Sequence, residues 1–184
     1  KFPVTTLLRA LFEKYDTNEE IIRTFYETKK HKLSSKAACA KVVGMVVVSD
    51  VIDPETGEIK LESGGEITEK LAEELKGELG LASVEVIADV NDWLILNTLK
   101  EDLTNTHEEA LLKIYLRLRP GNPPQLEKAR DLFREKFNND QKYRLGRVGR
   151  FRINRKFKID VPEETQTLTE LDFVAAIRYL INLR

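Results

Sequence analysis

The segment 41-KVVGMVVVSDVI-52 decides the fold class of this chain, because the sequence changes character there. It is rich in β-branched residues, and 53-DPETGE-58 supplies the proline and glycine of a turn before a second short apolar run. This order predicts a β-hairpin. Downstream, 67-ITEKLAEELKGEL-79 has the leucine spacing of an amphipathic helix, and 83-SVEVIAD-89 has the composition of a strand. Hairpin, helix and strand together predict a compact α+β unit over residues 38–90.

The sequence on both sides of this unit predicts helices. Residues 4–11 repeat apolar side chains every three or four positions, and a second helix follows them. Farther along, one helix must end before the prolines of 120-PGNPP-124, another covers 126–137, and a last one closes the chain. Three helix starts show the capping-box spacing, in which threonine precedes glutamate by three residues: Thr17 with Glu20, Thr106 with Glu109, and Thr167 with Glu170.

Charge is distributed unevenly along the chain. The formal net charge is only −1, yet residues 50–109 hold 17 acidic and 4 basic side chains, whereas residues 110–158 hold 15 basic and 4 acidic ones. This split predicts one surface that attracts polyanions and another that does not. Hydrophobic residues make up 41% and charged residues 33%, a balance typical of a folded globular protein rather than a disordered one.

The sequence predicts a cytoplasmic location. Its single cysteine, Cys39, cannot form an internal disulfide, and there is neither an apolar run of membrane-spanning length nor a signal-peptide pattern. The chain enters a helical pattern at once, without an initiator methionine. We therefore expect it to be a fragment of a longer protein.

The most basic stretch is 142-KYRLGRVGRFRINRKFK-158, which holds eight lysines or arginines and no acid. Polar and apolar residues alternate in its second half, which predicts an extended strand. A row of cations on an anchored strand suits phosphate binding, because each neutralised phosphate releases counterions. The pattern is also compatible with a solvated surface strand or with an acidic protein partner. The predicted cationic face carries Arg150, Arg152, Asn154, Lys156 and Lys158, and the predicted anchoring face carries Phe151, Ile153, Phe157 and Ile159.

Catalytic and metal-binding patterns are not evident. His31 and His107 lie far apart and the lone cysteine has no nearby partner, so neither a zinc site nor an activated nucleophile is supported. The acids of residues 50–55 lack the ligand spacing of a calcium loop, and a turn is the better interpretation. Tyr115 and Tyr143 lie near basic residues, either as half-buried supports or as rings that stack on an unpaired base.

Several longer segments, in this order, resemble the β subunit of bacterial DNA-directed RNA polymerase, in the portion that forms its lobe. The likeness covers nearly the whole chain. It rests on 1-KFPVTTLLRAL-11, 46-VVVSDVIDPETGEIKLESGGEIT-68, 108-EEALLKIYLRLRPGNPP-124, 129-ARDLFREKF-137, 143-YRLGRVGRFRINRKF-157 and 171-LDFVAAIRYLINLR-184.

The resemblance implies an α+β architecture, in which a helix-rich lobe domain of residues 1–37 and 91–184 is interrupted by a lineage-variable inserted module at 38–90. The lobe of that family lies beside the downstream DNA channel. The implied partners are downstream duplex and non-template DNA, the β′, α and ω subunits and a sigma factor, with regulators on the inserted module and no membrane. The family holds its catalytic magnesium on β′, so this chain is expected to carry neither cofactor nor catalytic residue.

The resemblance also implies DNA-binding residues. By motif, Arg119 of "LRPG" and Lys142 of "QKY" match family positions that approach non-template DNA. Lys142 stands where many relatives carry arginine, which keeps the charge but loses a fork-shaped donor. Arg147, Arg150 and Arg152 are further candidates, although parts of that segment pack against the neighbouring protrusion domain in the family. The implied role is to close the cleft on downstream DNA and guide the non-template strand. The alternative is a protein-docking module for transcription factors or neighbouring subunit domains.

Overall fold

A computed structural model describes residues 1–183 of the chain. The described residues form two compact units, and the chain passes between them twice. Unit 1 combines Lys1–Lys14 with the segment from Thr104 onward, and unit 2 is Tyr15–Leu103. Helices predominate in unit 1, whereas unit 2 contains both helices and strands, so the predicted α+β class is confirmed.

The helices, in chain order, are α1 Val4–Leu11, α2 Asn18–Phe25, α3 Lys36–Ala40, α4 Glu69–Gly77, α5 Leu94–Glu101, α6 His107–Leu118, α7 Leu126–Phe133, α8 Gly146–Phe157 and α9 Glu170–Ile181. The strands are β1 Thr28–Lys32, β2 Val51–Ile52, β3 Ile59–Leu61 and β4 Ser83–Ile87. A short 3₁₀ segment covers Glu13–Tyr15, and a turn of π-helix, Arg134–Asn138, directly follows α7.

Unit 2 is built on the antiparallel pair β1–β4, in which Thr28 lies opposite Ile87 and Lys32 lies opposite Ser83. The predicted hairpin is confirmed in a shorter form, as β2 paired with β3. Most of residues 41–48 form turns and isolated bridges instead of a strand. Strand β1 was not predicted, because its lysines hide any apolar alternation and only the pairing with β4 defines it.

The core of unit 2 lies between its helices and the β1–β4 pair. Helix α4 starts after Thr68, whose hydroxyl accepts a hydrogen bond from the backbone N–H of Leu71 at 3.3 Å. This start brings the leucines of the predicted amphipathic helix onto the core. The buried cluster consists of Leu33, Cys39, Val42, Val47, Val51, Ile67, Leu71, Ala72, Leu75, Leu79, Val84 and Val86.

Unit 1 packs α1, α6 and α7 around a second core. Beside this core, three successive ring contacts tie the end of α1 and the π-helical turn to α9: Phe12 to Phe173 at 5.8 Å, Phe173 to Phe137 at 6.1 Å, and Phe137 to Phe133 at 5.6 Å between ring centroids. The buried cluster consists of Ala10, Ala110, Leu111, Ile114, Tyr115, Ala129, Leu132 and Phe133.

The limits of unit 2 are wider than the inserted module predicted at 38–90. Pairing of β1 with β4 and packing of α2 against α5 draw residues 15–37 and 91–103 into the same compact unit. The resemblance defines the module at 38–90 by variation between lineages, whereas unit 2 is defined by its compactness. The module boundaries therefore stay a prediction.

The predicted capping boxes are only partly correct. Thr106 caps α6 by accepting from the N–H of Glu109, but the carboxylate of Glu109 accepts from the residue before the cap. Thr17 precedes α2 without a side-chain capping bond. The last helix begins two residues later than predicted, where Thr169 and Asp172 form the complete box.

Candidate nucleic-acid interface

The basic stretch is helical, so its prediction as an extended strand is wrong. Helix α8 covers Gly146–Phe157, with Arg150 buried and Ile153, Asn154 and Phe157 half-buried on its inner face. These residues recur every three or four positions, which is the period of a helix. The same stretch also shows the two-residue alternation that is typical of a strand. Arginine and lysine also favour helices, whereas the strand prediction relied on alternation alone.

Arg150 lies inside unit 1, with a relative exposure of 0%. Its guanidinium donates to Oδ1 of Asp172 at 2.6 Å and to the carbonyl oxygens of Thr165 at 3.0 Å and Thr167 at 2.6 Å. A guanidinium that is buried and held by three acceptors of the same chain does not reach a phosphate outside it. The structure therefore removes Arg150 from the predicted DNA-binding residues.

Lys142 lies on the exposed segment before α8 and forms an ion pair with Glu135. Both side chains are at least half exposed. Exposed pairs of this kind contribute at most about 1 kcal/mol, so a phosphate can compete with the carboxylate for the ammonium group. Lys142 is accessible, but its charge is already partly neutralised within the chain.

Arg119, Arg147 and Arg152 are exposed. Arg119 ends helix α6 immediately before Pro120, and the other two lie on α8. Within residues 1–183, none of these three guanidinium groups is paired with a carboxylate. They are the predicted site residues whose charge remains available to a ligand.

The solvent-exposed side of α8, here called the outer face, carries Arg147, Val148, Phe151, Arg152 and Arg155. Val148 is 67% exposed and Phe151 is 53% exposed. The strand prediction placed Phe151 on the anchoring face, and this assignment is wrong. On a helical wheel, Val148, Arg152 and Arg155 lie on the side away from the buried Arg150, and Arg147 and Phe151 lie at the edge of that side.

The two tyrosines differ in position. Tyr115 is buried in the unit 1 core, which confirms its interpretation as a support. Tyr143 is 37% exposed at the edge of the basic stretch. Phe151 and Tyr143 are therefore exposed aromatic rings within the basic stretch.

The acidic turn that begins at Asp53 in unit 2 is stabilised by hydrogen bonds between this aspartate and the backbone. Oδ1 of Asp53 accepts hydrogen bonds from the N–H groups of Glu55 at 2.9 Å and Thr56 at 3.3 Å. The bond from Glu55 is the main cause that lowers the pKa of Asp53 below its ordinary value. The interpretation of this segment as a turn is confirmed.

The described part of the chain holds neither a metal-binding cluster nor a helix that could span a membrane. Residues 1–183 contain no group of three or more histidine, cysteine, aspartate or glutamate side chains that could hold a metal ion. None of the helices described is both long enough and apolar enough to cross a membrane.

Comparison with known proteins identifies relatives over the full chain. The family model of RNA polymerase Rpb2, domain 2, matches residues 81–184. The DNA-directed RNA polymerase subunit beta of Rhodopirellula baltica is 50% identical over 187 residues, that of Methylacidiphilum infernorum 39% over 194, and that of Protochlamydia amoebophila 34% over 191. Each alignment covers 100% of this chain but only 15% of the relative, so the chain spans about a seventh of those proteins.

Proposed function

Because this chain belongs to the RNA polymerase Rpb2 domain 2 family, with bacterial β subunits as its relatives, we propose that it is the lobe of a bacterial polymerase β subunit. In this role it closes the cleft on downstream DNA and guides the non-template strand during transcription. Its contribution is positional and electrostatic, and the nucleotidyl transfer takes place elsewhere in the assembly.

The observation that carries the proposal is the set of exposed arginines without a carboxylate partner in the described chain: Arg119, Arg147 and Arg152. Arg155 is a further exposed arginine, on the outer face of α8 with Arg147 and Arg152. Helix α8 fixes the spacing of Arg147, Arg152 and Arg155, so these charges are presented to a polyanion with little loss of backbone entropy. Phe151, exposed between Arg147 and Arg155 on the helix surface, supplies a ring on which an unpaired base can stack.

The remaining parts of the proposal concern the assembly. The partners are DNA, the β′, α and ω subunits and a sigma factor, in the bacterial cytoplasm and associated with the nucleoid. The catalytic magnesium is held by acids of β′, and this chain supplies no ligand to it.

The proposal is tested by salt-dependent binding of forked DNA to the complete polymerase. A triple variant, Arg119→Gln/Arg147→Gln/Arg152→Gln, is compared with the unmodified enzyme over a range of KCl concentrations. Each lost phosphate contact makes the slope of log affinity against log salt shallower by about 0.7–0.9, so we expect a change of about 2–3. DNA affinity at low salt falls in parallel.

The matched control removes the same charge from exposed lysines of unit 2, as Lys29→Gln/Lys36→Gln/Lys41→Gln. We expect the control to retain the original slope. If the triple arginine variant and the control behave alike, these arginines do not contact phosphates and the DNA-guiding role is wrong.

A second candidate function is protein docking through the outer face of α8. Val148 and Phe151 are large apolar side chains that are more than half exposed on a helix otherwise lined by cations. A surface that binds only phosphates gains no affinity from the exposed apolar side chain of Val148. If Val148→Ser and Phe151→Ser abolish a subunit or factor contact while DNA binding is unchanged, the docking function is favoured.

A further inference from the structure

We propose that the groove between α8 and α9 binds an acidic protein segment that carries an apolar anchor side chain. The groove has a volume of about 300 Å³, which is enough for one or two side chains. Phe157, Val174 and Tyr179 contribute its apolar lining. Leu171 forms one wall and is 54% exposed, so an apolar anchor would cover it. This site is separate from the proposed DNA-binding arginines.

The charge on this groove has one sign. Lys156, Lys158 and Arg178 line it, and no acidic side chain of the described residues does so. Apolar lining surrounded by cations is complementary to a segment in which acids flank a leucine or phenylalanine. The apolar contacts would supply affinity and the cations would select against neutral or basic segments.

The backbone at Lys158 supports a ligand-binding role. Its φ is +55°, which makes it the one non-glycine residue with positive φ among those described. The N–H groups of Lys158 and Ile159 both donate to the carbonyl of Asn154, which ends α8 in a turn that usually carries glycine. The helix dipole explains a preference for cations at this end. It does not explain a lysine at a position where glycine removes the strain, and such strain is characteristic of functional sites.

The groove favours a protein segment over nucleic acid because the Tyr179 ring already contacts two neighbouring side chains. Nζ of Lys156 lies 4.6 Å from the centroid of the Tyr179 ring, and the ring of Phe157 lies 5.6 Å from it. A base would have to displace these contacts in order to stack. Phosphates would also leave the apolar wall at Leu171 unused.

The test uses the complete subunit in its polymerase and a fluorescein-labelled peptide of about twelve residues, in which leucines alternate with pairs of glutamates. Binding is followed by fluorescence anisotropy. We expect Lys158→Gly to weaken binding about fivefold, as loss of one charge pair predicts, and to raise the thermal midpoint of unfolding because the strain is relieved. Leu171→Ser should weaken binding to a similar extent, while Lys128→Gln, an exposed lysine on α7, should leave it unchanged.

Several results of these experiments would contradict the proposal. The proposal is wrong if the peptide does not bind, if a glutamine-substituted peptide binds as tightly, or if Lys158→Gly and Lys128→Gln have the same effect. It is also overturned if a single-stranded oligonucleotide, and not the peptide, binds in a Lys158-dependent way, or if light scattering shows a dimer that Leu171→Ser dissociates.

Discussion

Asp172 and Arg150 form a buried ion pair that joins the two C-terminal helices. Oδ1 of Asp172 accepts from Arg150, while Oδ2 accepts from the backbone N–H of Thr169 at 2.7 Å and from its hydroxyl at 2.9 Å. One carboxylate thus caps α9 and neutralises a guanidinium from α8. Burying two charges is costly, and the cost is offset here because every polar group of the pair has a partner.

Removing the cation should destabilise unit 1 strongly. We expect Arg150→Ala to lower the free energy of unfolding by about 3–5 kcal/mol, because it leaves the buried carboxylate of Asp172 without its counter-charge. Arg147→Ala, on the exposed side of the same helix, should change it by no more than about 0.5 kcal/mol. Urea denaturation followed by circular dichroism measures both, and a similar small effect of the two substitutions would contradict the structural role of the pair.

At the scale of elements, the sequence predicted most helices and the main strand of unit 2, because their apolar periodicity is strong. Helix α4 and strand β4 were found from such patterns alone. Strand β1 and helix α8 were not, since both are rich in cations and their inner faces carry few apolar residues. The strand prediction therefore placed Phe151 in the interior and Arg150 on the surface, the reverse of their positions in the structure. The predicted segment does carry exposed cations, but the face on which they lie was predicted wrongly, because only tertiary packing decides which side of a cationic helix is buried.

Helix α2 is fastened to β4 by an ion pair with a pH-dependent contribution. Nη2 of Arg23 lies 2.9 Å from Oε2 of Glu85, and the hydroxyl of Thr28 donates to Oε1 at 3.0 Å. Lys30 lies opposite Glu85 in the β1–β4 register. The hydrogen bond from Arg23 is the main cause that lowers the pKa of Glu85 below its ordinary value of 4.5.

The stability of unit 2 should therefore fall in acid. The folded state holds Glu85 with a lower pKa than the unfolded state, so the pair contributes fully above the unfolded value and loses its contribution as pH falls through the folded value. We expect Glu85→Gln to be less stable at pH 7 and to show a shallower loss of stability below pH of about 4.5. Glu73→Gln, an exposed carboxylate of α4, should keep the original pH profile in urea titrations between pH 7 and 3. An unchanged profile for Glu85→Gln would contradict this account.

At the scale of the molecule, the charge asymmetry coincides with the division into units. Residues 15–103 hold 19 acidic and 10 basic side chains, and the rest of the chain holds 12 and 20. Composition along the sequence anticipated the opposite signs. It did not anticipate the boundaries, because these depend on β1 pairing with a strand about fifty residues later.

Two deletions within the acidic unit 2, one of residues 15–103 and one of residues 38–90, should therefore differ in their effect on stability. Replacing residues 15–103 by a short Gly-Ser linker leaves the entire unit 1 core in place, and we expect a folded, cooperatively melting protein. Replacing only 38–90 removes β4 and most of the unit 2 core, which leaves β1 unpaired and α2 and α5 without their packing. Thermal unfolding and hydrogen exchange would distinguish them. Equal stability of the two deletions would show that the wider unit is not the cooperative one.

In the sequence, the exposed turn at residues 53–58 lies between two strands of unit 2 that pair with each other. Strand β1 precedes it and β4 follows it, and Val47 bridges to Val86 across the same interval. Protease nicking at this turn would consequently leave two fragments that share one sheet and one core, and each would act as the template on which the other refolds. We therefore expect halves of the chain that are divided at this turn and expressed separately to complement each other.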